Sequence, residues 1–186
     1  FLDLARQDGW DVHGIEPSPR ACRTAKERYG LDLEPTTLDD FSAADRFDVI
    51  YLSHVFEHLP RPSAALEKIR SLLAPDGLLL IEVPNQFDAL IRRIVRWVRV
   101  GRRAPRTFYS IHHPLFFGPR QLAALLRRHD FAVNVRAHVP TDFPRTPRGM
   151  AKRAVNAVGA AAGRQGDPLQ VLASPRSAAG SPSPSG

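Results

Sequence analysis

The sequence predicts an α/β fold, a mostly parallel sheet with helices on both faces. Three observations predict it. Short apolar runs rich in β-branched and aromatic residues, Val49 to Leu52 and Leu78 to Val83, read as strands buried on both faces. Helical stretches alternate with such runs, a rhythm that builds parallel βαβ units. Each run stops abruptly, at Ser53-His54 in the first case and at Pro84 in the second. Right-handed crossovers put the carboxyl ends of parallel strands on one edge, where open α/β sheets hold ligands. Ser53, His54, Glu57 and His58 fall where chemistry is expected, and Glu16, Thr37, Ser53 and Pro84 would share one rim.

In chain order, Phe1 to Gln7 reads as a helix that ends near Gly9. Val12 to Glu16 reads as a strand, halted by Pro17. Ser18 is an N-cap candidate with Pro19 at the first helical position, and that helix runs to about Tyr29 and closes at Gly30. Leu31 to Thr37 is a weaker strand, followed by the acidic turn Asp39-Asp40. After the strand ending at Leu52, Pro60-Arg61-Pro62-Ser63 opens a helix over Ala64 to Leu73, with Leu66, Ile69, Leu72 and Leu73 on its apolar face. Pro75-Asp76-Gly77 is a turn before the next strand. Residues 86–118 break the rhythm: an apolar stripe from Phe87 to Val98 is covered by Arg92, Arg93, Arg96, Arg99, Arg102 and Arg103, as in a basic amphipathic lid. A helix follows from Pro119 to Arg128 with Leu122, Leu125 and Leu126 inward. Phe131 to Val139 is a strand, Met150 to Ala162 a short helix, and Leu169 to Leu172 a last edge strand. Residues 174–186 are Ser, Pro, Gly and Ala with one Arg, a composition expected to be disordered.

A chain of 186 residues with 43% hydrophobic content supports one domain with a real core, placed here over residues 1–173. One cysteine, Cys22, excludes an internal disulfide and makes a reducing, cytoplasmic setting the default. No apolar run reaches the roughly 18 residues of a membrane span. The chain opens on Phe1 with a helix in progress, and its one methionine is Met150, so the natural N-terminus is expected to lie upstream. The net charge of +7 comes almost wholly from arginine. It would suit an anionic membrane surface through Arg92–Arg103, a phosphorylated acceptor, or a merely solvated face. No aromatic-interleaved basic motif suggests nucleic acid.

Glu16 ends a strand of a βαβ unit, where a carboxylate can accept two hydrogen bonds from a ribose diol. Pro17-Ser18-Pro19 suits a tight turn over an adenine; the plainer reading is a solvated strand end. Gly14-Ile15-Glu16-Pro17-Ser18, Asp48-Val49-Ile50, His54-Val55-Phe56-Glu57-His58 and the run from Leu73 to Asn85 resemble class I S-adenosylmethionine-dependent methyltransferases, in that family's order and spacing. The likeness is to the ubiquinone-type small-molecule branch. His113-Pro114-Leu115-Phe116-Phe117 and Gly166 to Ala173 fit the same branch.

The resemblance implies a Rossmann-like fold whose first strand and glycine-rich loop would precede Phe1. It implies S-adenosylmethionine as cofactor and a small-molecule methyl acceptor, lipid- or saccharide-linked acceptors included. Glu16 would hold the ribose hydroxyls and Pro17 the adenine. Thr37 and Leu38 would lie at the adenine edge, and Ser53 and His54 would flank the methionine end. His113, His112 and His58 are candidate bases, since imidazole titrates near neutrality.

Two rival readings use the same residues. His54-x-x-Glu57-His58 also spells the H-x-x-E-H pattern of inverted zinc proteases, which needs both histidines on one helical face. A non-catalytic basic module peripheral to the membrane is the other. The plainest reading of Glu57 and His58 is that they brace the following helix.

Overall fold

The computed structural model describes residues 1–84, 115–137 and 169–176. The arginine-rich stretch with Arg92–Arg103, the His112-His113 loop, the 150–162 helix and the chain beyond Arg176 lie outside the described residues. The chain divides into two compact units, Phe1–Asp45 and Arg46–Gly186.

The first unit holds helices α1 (Leu2–Gln7) and α2 (Pro19–Tyr29). Both follow local signals. Ser18 caps α2 by accepting from the Ala21 N–H, Pro19 opens it, and Gly30 closes it in the left-handed conformation at φ 62°. The Arg6 guanidinium donates to the carbonyls of Tyr29 and Gly30 at 2.7 and 3.1 Å, satisfying the end of α2. The two strands expected here shrink to one parallel bridge, Ile15 with Glu34. Pro17 and Pro35 follow at once, and neither has an N–H to extend the ladder.

The second unit contains β1 (Phe47–Ser53), a short 3-10 turn over Phe56–His58, α3 (Pro62–Leu72), β2 (Leu73–Val83), α4 (Pro119–Arg128), β3 (Phe131–Ala137) and β4 (Leu169–Pro175). The strand order is β1-β2-β4-β3, with β1 parallel to β2 and both β4 contacts antiparallel. The sheet is therefore mixed. Leu169 to Leu172 is not an edge strand: β4 lies between β2 and β3, with Leu169, Val171 and Ala173 fully buried. Ser174 and Pro175, assigned by composition to a disordered tail, pair with Ala132 and Phe131. Neighbouring strands supply partners that composition alone does not reveal. In β1 only Leu52 is buried, while Val49, Ile50 and Tyr51 are half-buried; among the described residues the strand is paired on one edge.

The core of this unit joins Phe56, Leu66, Ile69, Leu79, Ile81, Leu122, Leu126 and Phe131. On α3 the expected apolar face is the buried one, though Leu73 belongs to β2; on α4 Ala123 is buried with Leu122 and Leu126, and Leu125 is half-buried. The turn at Pro75-Asp76-Gly77 is absorbed into β2 as a register jump. Leu73 pairs with Phe47 and Leu78 with Val49, so four residues of β2 face the single Asp48.

Candidate functional site

The carboxyl end of β1 organises the chemistry. Parallel register sets Ser53 beside Glu82, and antiparallel register sets Glu82 beside Gln170, giving one row across three strands. The Glu82 carboxylate gathers donors from both neighbours. Ser53 Oγ lies 3.4 Å from its Oε1, Tyr51 Oη 3.5 Å from its Oε2, and Gln170 Nε2 donates to Oε2. Its own main-chain carbonyl accepts from the His54 N–H at 2.9 Å, holding the residue that leaves the strand.

His54 takes a left-handed backbone, φ 52°, which turns the chain sharply out of β1. Phe56 is then fully buried and packs its ring against Phe117 at 5.2 Å. With Phe56 anchored, the turn carries Glu57 inward. Glu57 is the one buried charged residue among the described residues, 2% exposed, and neither carboxylate oxygen has a hydrogen-bond partner. Its main-chain carbonyl accepts from the Leu115 N–H at 3.2 Å. Two imidazoles stand in front of it: His54 Nδ1 is 3.5 Å and His58 Nε2 3.9 Å from Oε1. The other ring nitrogen of His54, Nε2, is 3.3 Å from Glu82 Oε1. The His54 and His58 side chains are 51% and 42% exposed, so the buried Glu57 carboxylate backs two accessible imidazoles.

Ser53 and His54 thus meet at Glu82, and His54 and His58 at Glu57. Glu82, Tyr51 and Gln170 are additions. Their signal was present: Glu82 and Gln170 are lone polar residues inside apolar strands, close to a strand end. The zinc reading fails on geometry. His54 is left-handed and the turn spans three residues, so no helical face carries both histidines. Among the described residues no group of three or more His, Cys, Asp or Glu is arranged to hold a metal ion. Nor is any described helix long and apolar enough to cross a membrane.

In the first unit, half-buried Glu16 directs one oxygen at the Ser18 N–H, 2.8 Å away. An ionised carboxylate has about four lone-pair sites, so acceptor capacity remains. Pro17 is exposed beside it and Leu38 half-buried. Thr37 is committed to its own turn: its hydroxyl donates to Asp40 Oδ2 at 2.7 Å and accepts from the Asp40 N–H. His113 lies outside the described residues.

An α/β sheet with a polar cluster at the carboxyl ends of parallel strands defines a ligand-binding class of Rossmann-like proteins. Comparison narrows that class. Residues 1–135 match a family of methyltransferase domains, and the chain belongs to that family. It is 37% identical over 106 residues to a ubiquinone biosynthesis O-methyltransferase of Cereibacter sphaeroides, a match covering 50% of this chain and 43% of that protein. The chain therefore spans less than half the length of that relative.

Solved structures share the fold. A putative S-adenosylmethionine-dependent methyltransferase from Listeria monocytogenes aligns with a TM-score of 0.63 at 16% identity, over 90% of this chain and 81% of that one. The Burkholderia thailandensis 1,6-didemethyltoxoflavin-N1-methyltransferase, solved with S-adenosylhomocysteine, aligns with a TM-score of 0.58 at 19% identity, over 94% and 65%. The family implies a nucleoside cofactor, and Glu16 fits its ribose: a half-buried, oriented carboxylate with spare acceptor sites meets a diol with two donors. Thr37 does not fit an adenine contact equally well, because its hydroxyl is already engaged in both directions.

Proposed function

We propose that the full-length protein transfers a methyl group from S-adenosylmethionine to a small-molecule acceptor. Membership of the methyltransferase-domain family supports the reaction class. The observation that carries the cofactor is Glu16, oriented by the Ser18 N–H with acceptor capacity left over. When bound, the cofactor supplies an activated methyl group on sulfur. The chain then contributes alignment, since a neutral thioether leaves readily and positioning accounts for most of the gain. Glu16 holds ribose hydroxyls, Pro17 packs near the adenine, and Ser53 and His54 orient groups at the strand end. His58 and His113 are the sequence candidates for receiving an acceptor proton. The relatives named above act through different acceptor atoms, oxygen in one name and nitrogen in the other, so the acceptor is proposed only as a small molecule.

Calorimetric titration of the full-length protein with S-adenosylmethionine tests this reading. Glu16→Ala should weaken binding by about 1–3 kcal/mol through lost hydrogen bonds to a charged group. An unaltered affinity removes the ribose role, and a wild type that binds no cofactor overturns the whole reading.

A further inference from the structure

Glu57 is a buried carboxylate without a hydrogen bond, and a fold retains such a group at a cost. Its oxygens are too shielded for a ligand to reach. What can reach both Glu57 and a ligand is the imidazole in front of it. His54 is the nearer, with Nδ1 at 3.5 Å and half of its side chain open to solvent.

The two carboxylates flanking His54 are unequal. Glu82 has donors from Ser53, Tyr51 and Gln170 besides His54, so losing the imidazole leaves it satisfied. Among the described residues the Glu57 carboxylate has no hydrogen bond, and the only other imidazole before it, His58 Nε2, stands farther off at 3.9 Å, so its need for the His54 proton is correspondingly greater. The ring proton of neutral His54 therefore belongs on Nδ1, toward Glu57. That leaves the Nε2 lone pair, which cannot bond an ionised Glu82, available to an incoming donor.

We propose that Glu57 is a positioning residue that fixes the tautomer of His54, making His54 Nε2 the base for an acceptor hydroxyl. This inference rests on the methyl-transfer reading and narrows its acceptor to a molecule whose nucleophile carries a proton at neutral pH. As the new O–CH3 bond forms, the acceptor's O–H proton passes to His54 Nε2. The electron pair of the broken S–CH3 bond stays on a neutral thioether. The imidazolium, held against Glu57 and Glu82, later releases its proton to solvent. An accessible imidazole backed by a buried carboxylate follows the general logic of base and orienting group. The distances of 3.3 and 3.5 Å from His54 to the two carboxylates are longer than tight hydrogen bonds.

The test is ring-nitrogen NMR of the full-length protein at a pH where His54 is neutral, with its signal assigned by its loss in His54→Gln. Wild type should show the Nδ1–H tautomer. Glu57→Gln, whose amide can donate to Nδ1, should move it to Nε2–H, while Glu57→Asp and Glu82→Gln should leave it on Nδ1. An Nε2–H wild type, or a tautomer indifferent to Glu57→Gln, overturns the proposal. In a methylation assay with catechol as the hydroxyl probe, Glu57→Gln should lower kcat about 100-fold with KM within about twofold; an unchanged kcat likewise overturns it. Failure of the wild type to bind S-adenosylmethionine would instead strike the methyl-transfer reading and leave the tautomer result standing.

Discussion

Glu57 and His54 show what this site costs at the level of single residues. A carboxylate with both oxygens shielded forfeits hydration without gaining a hydrogen bond. A non-glycine residue in the left-handed region costs roughly 1–2 kcal/mol, and His54 adopts it at φ 52°. Strain and an unsatisfied charge coincide within four residues, at the end of the strand where ligands are expected. It follows that Glu57→Met, which fills similar volume without charge, should keep or raise stability by about 1 kcal/mol. Chemical denaturation of the two proteins checks this; a loss of stability would mean that Glu57 holds the fold rather than serving the site. Ser53 and His54 were legible in the sequence because a strand end is a local signal. The burial of Glu57 was not, because His-x-x-Glu-His has the same spelling in a helix and in a tight turn. Only the anchoring of Phe56 on Phe117 decides between them.

Among the elements, β2 carries the clearest departure from local reading. Pro75-Asp76-Gly77 has turn chemistry, and the pairing register does jump there, but Leu73 has already paired with Phe47 across the bulge. Gly77 makes this possible. A Cβ at that position would lie 3.0 Å from the carbonyl oxygens of both Ala74 and Phe47, which are backbone and cannot rotate aside. Gly77→Ala should therefore destabilise the protein by about 1–3 kcal/mol, read as a lowered denaturation midpoint; a neutral effect would show that the bulge yields freely. By contrast α2 was legible from end to end. Its cap at Ser18, its opening proline and its closing glycine act within a few residues of one another.

Across the whole molecule, the two units differ in how they are held. Among the described residues the second has a four-stranded sheet with buried residues on β2, β3 and β4, whereas strand pairing in the first amounts to one bridge, with Ala5 and Phe41 its buried hydrophobic residues. Amide protection follows local burial and ladder hydrogen bonds. Hydrogen exchange of the 186-residue chain should be slowest in β2 and β4 and markedly faster over residues 12–16 and 31–37. Equal protection in the two units would contradict this ranking.

The sequence by itself determined the α/β class, the helix boundaries marked by caps and prolines, and the strand end at which Ser53 and His54 stand, since each depends on neighbours within a few positions. Tertiary structure alone decided that β4 runs antiparallel between β2 and β3, that Gln170 reaches Glu82, and that Glu57 is buried behind His54. Those outcomes depend on contacts between residues far apart in the chain, such as Phe56 with Phe117 and Glu82 with Gln170, which leave no periodic trace in the local pattern.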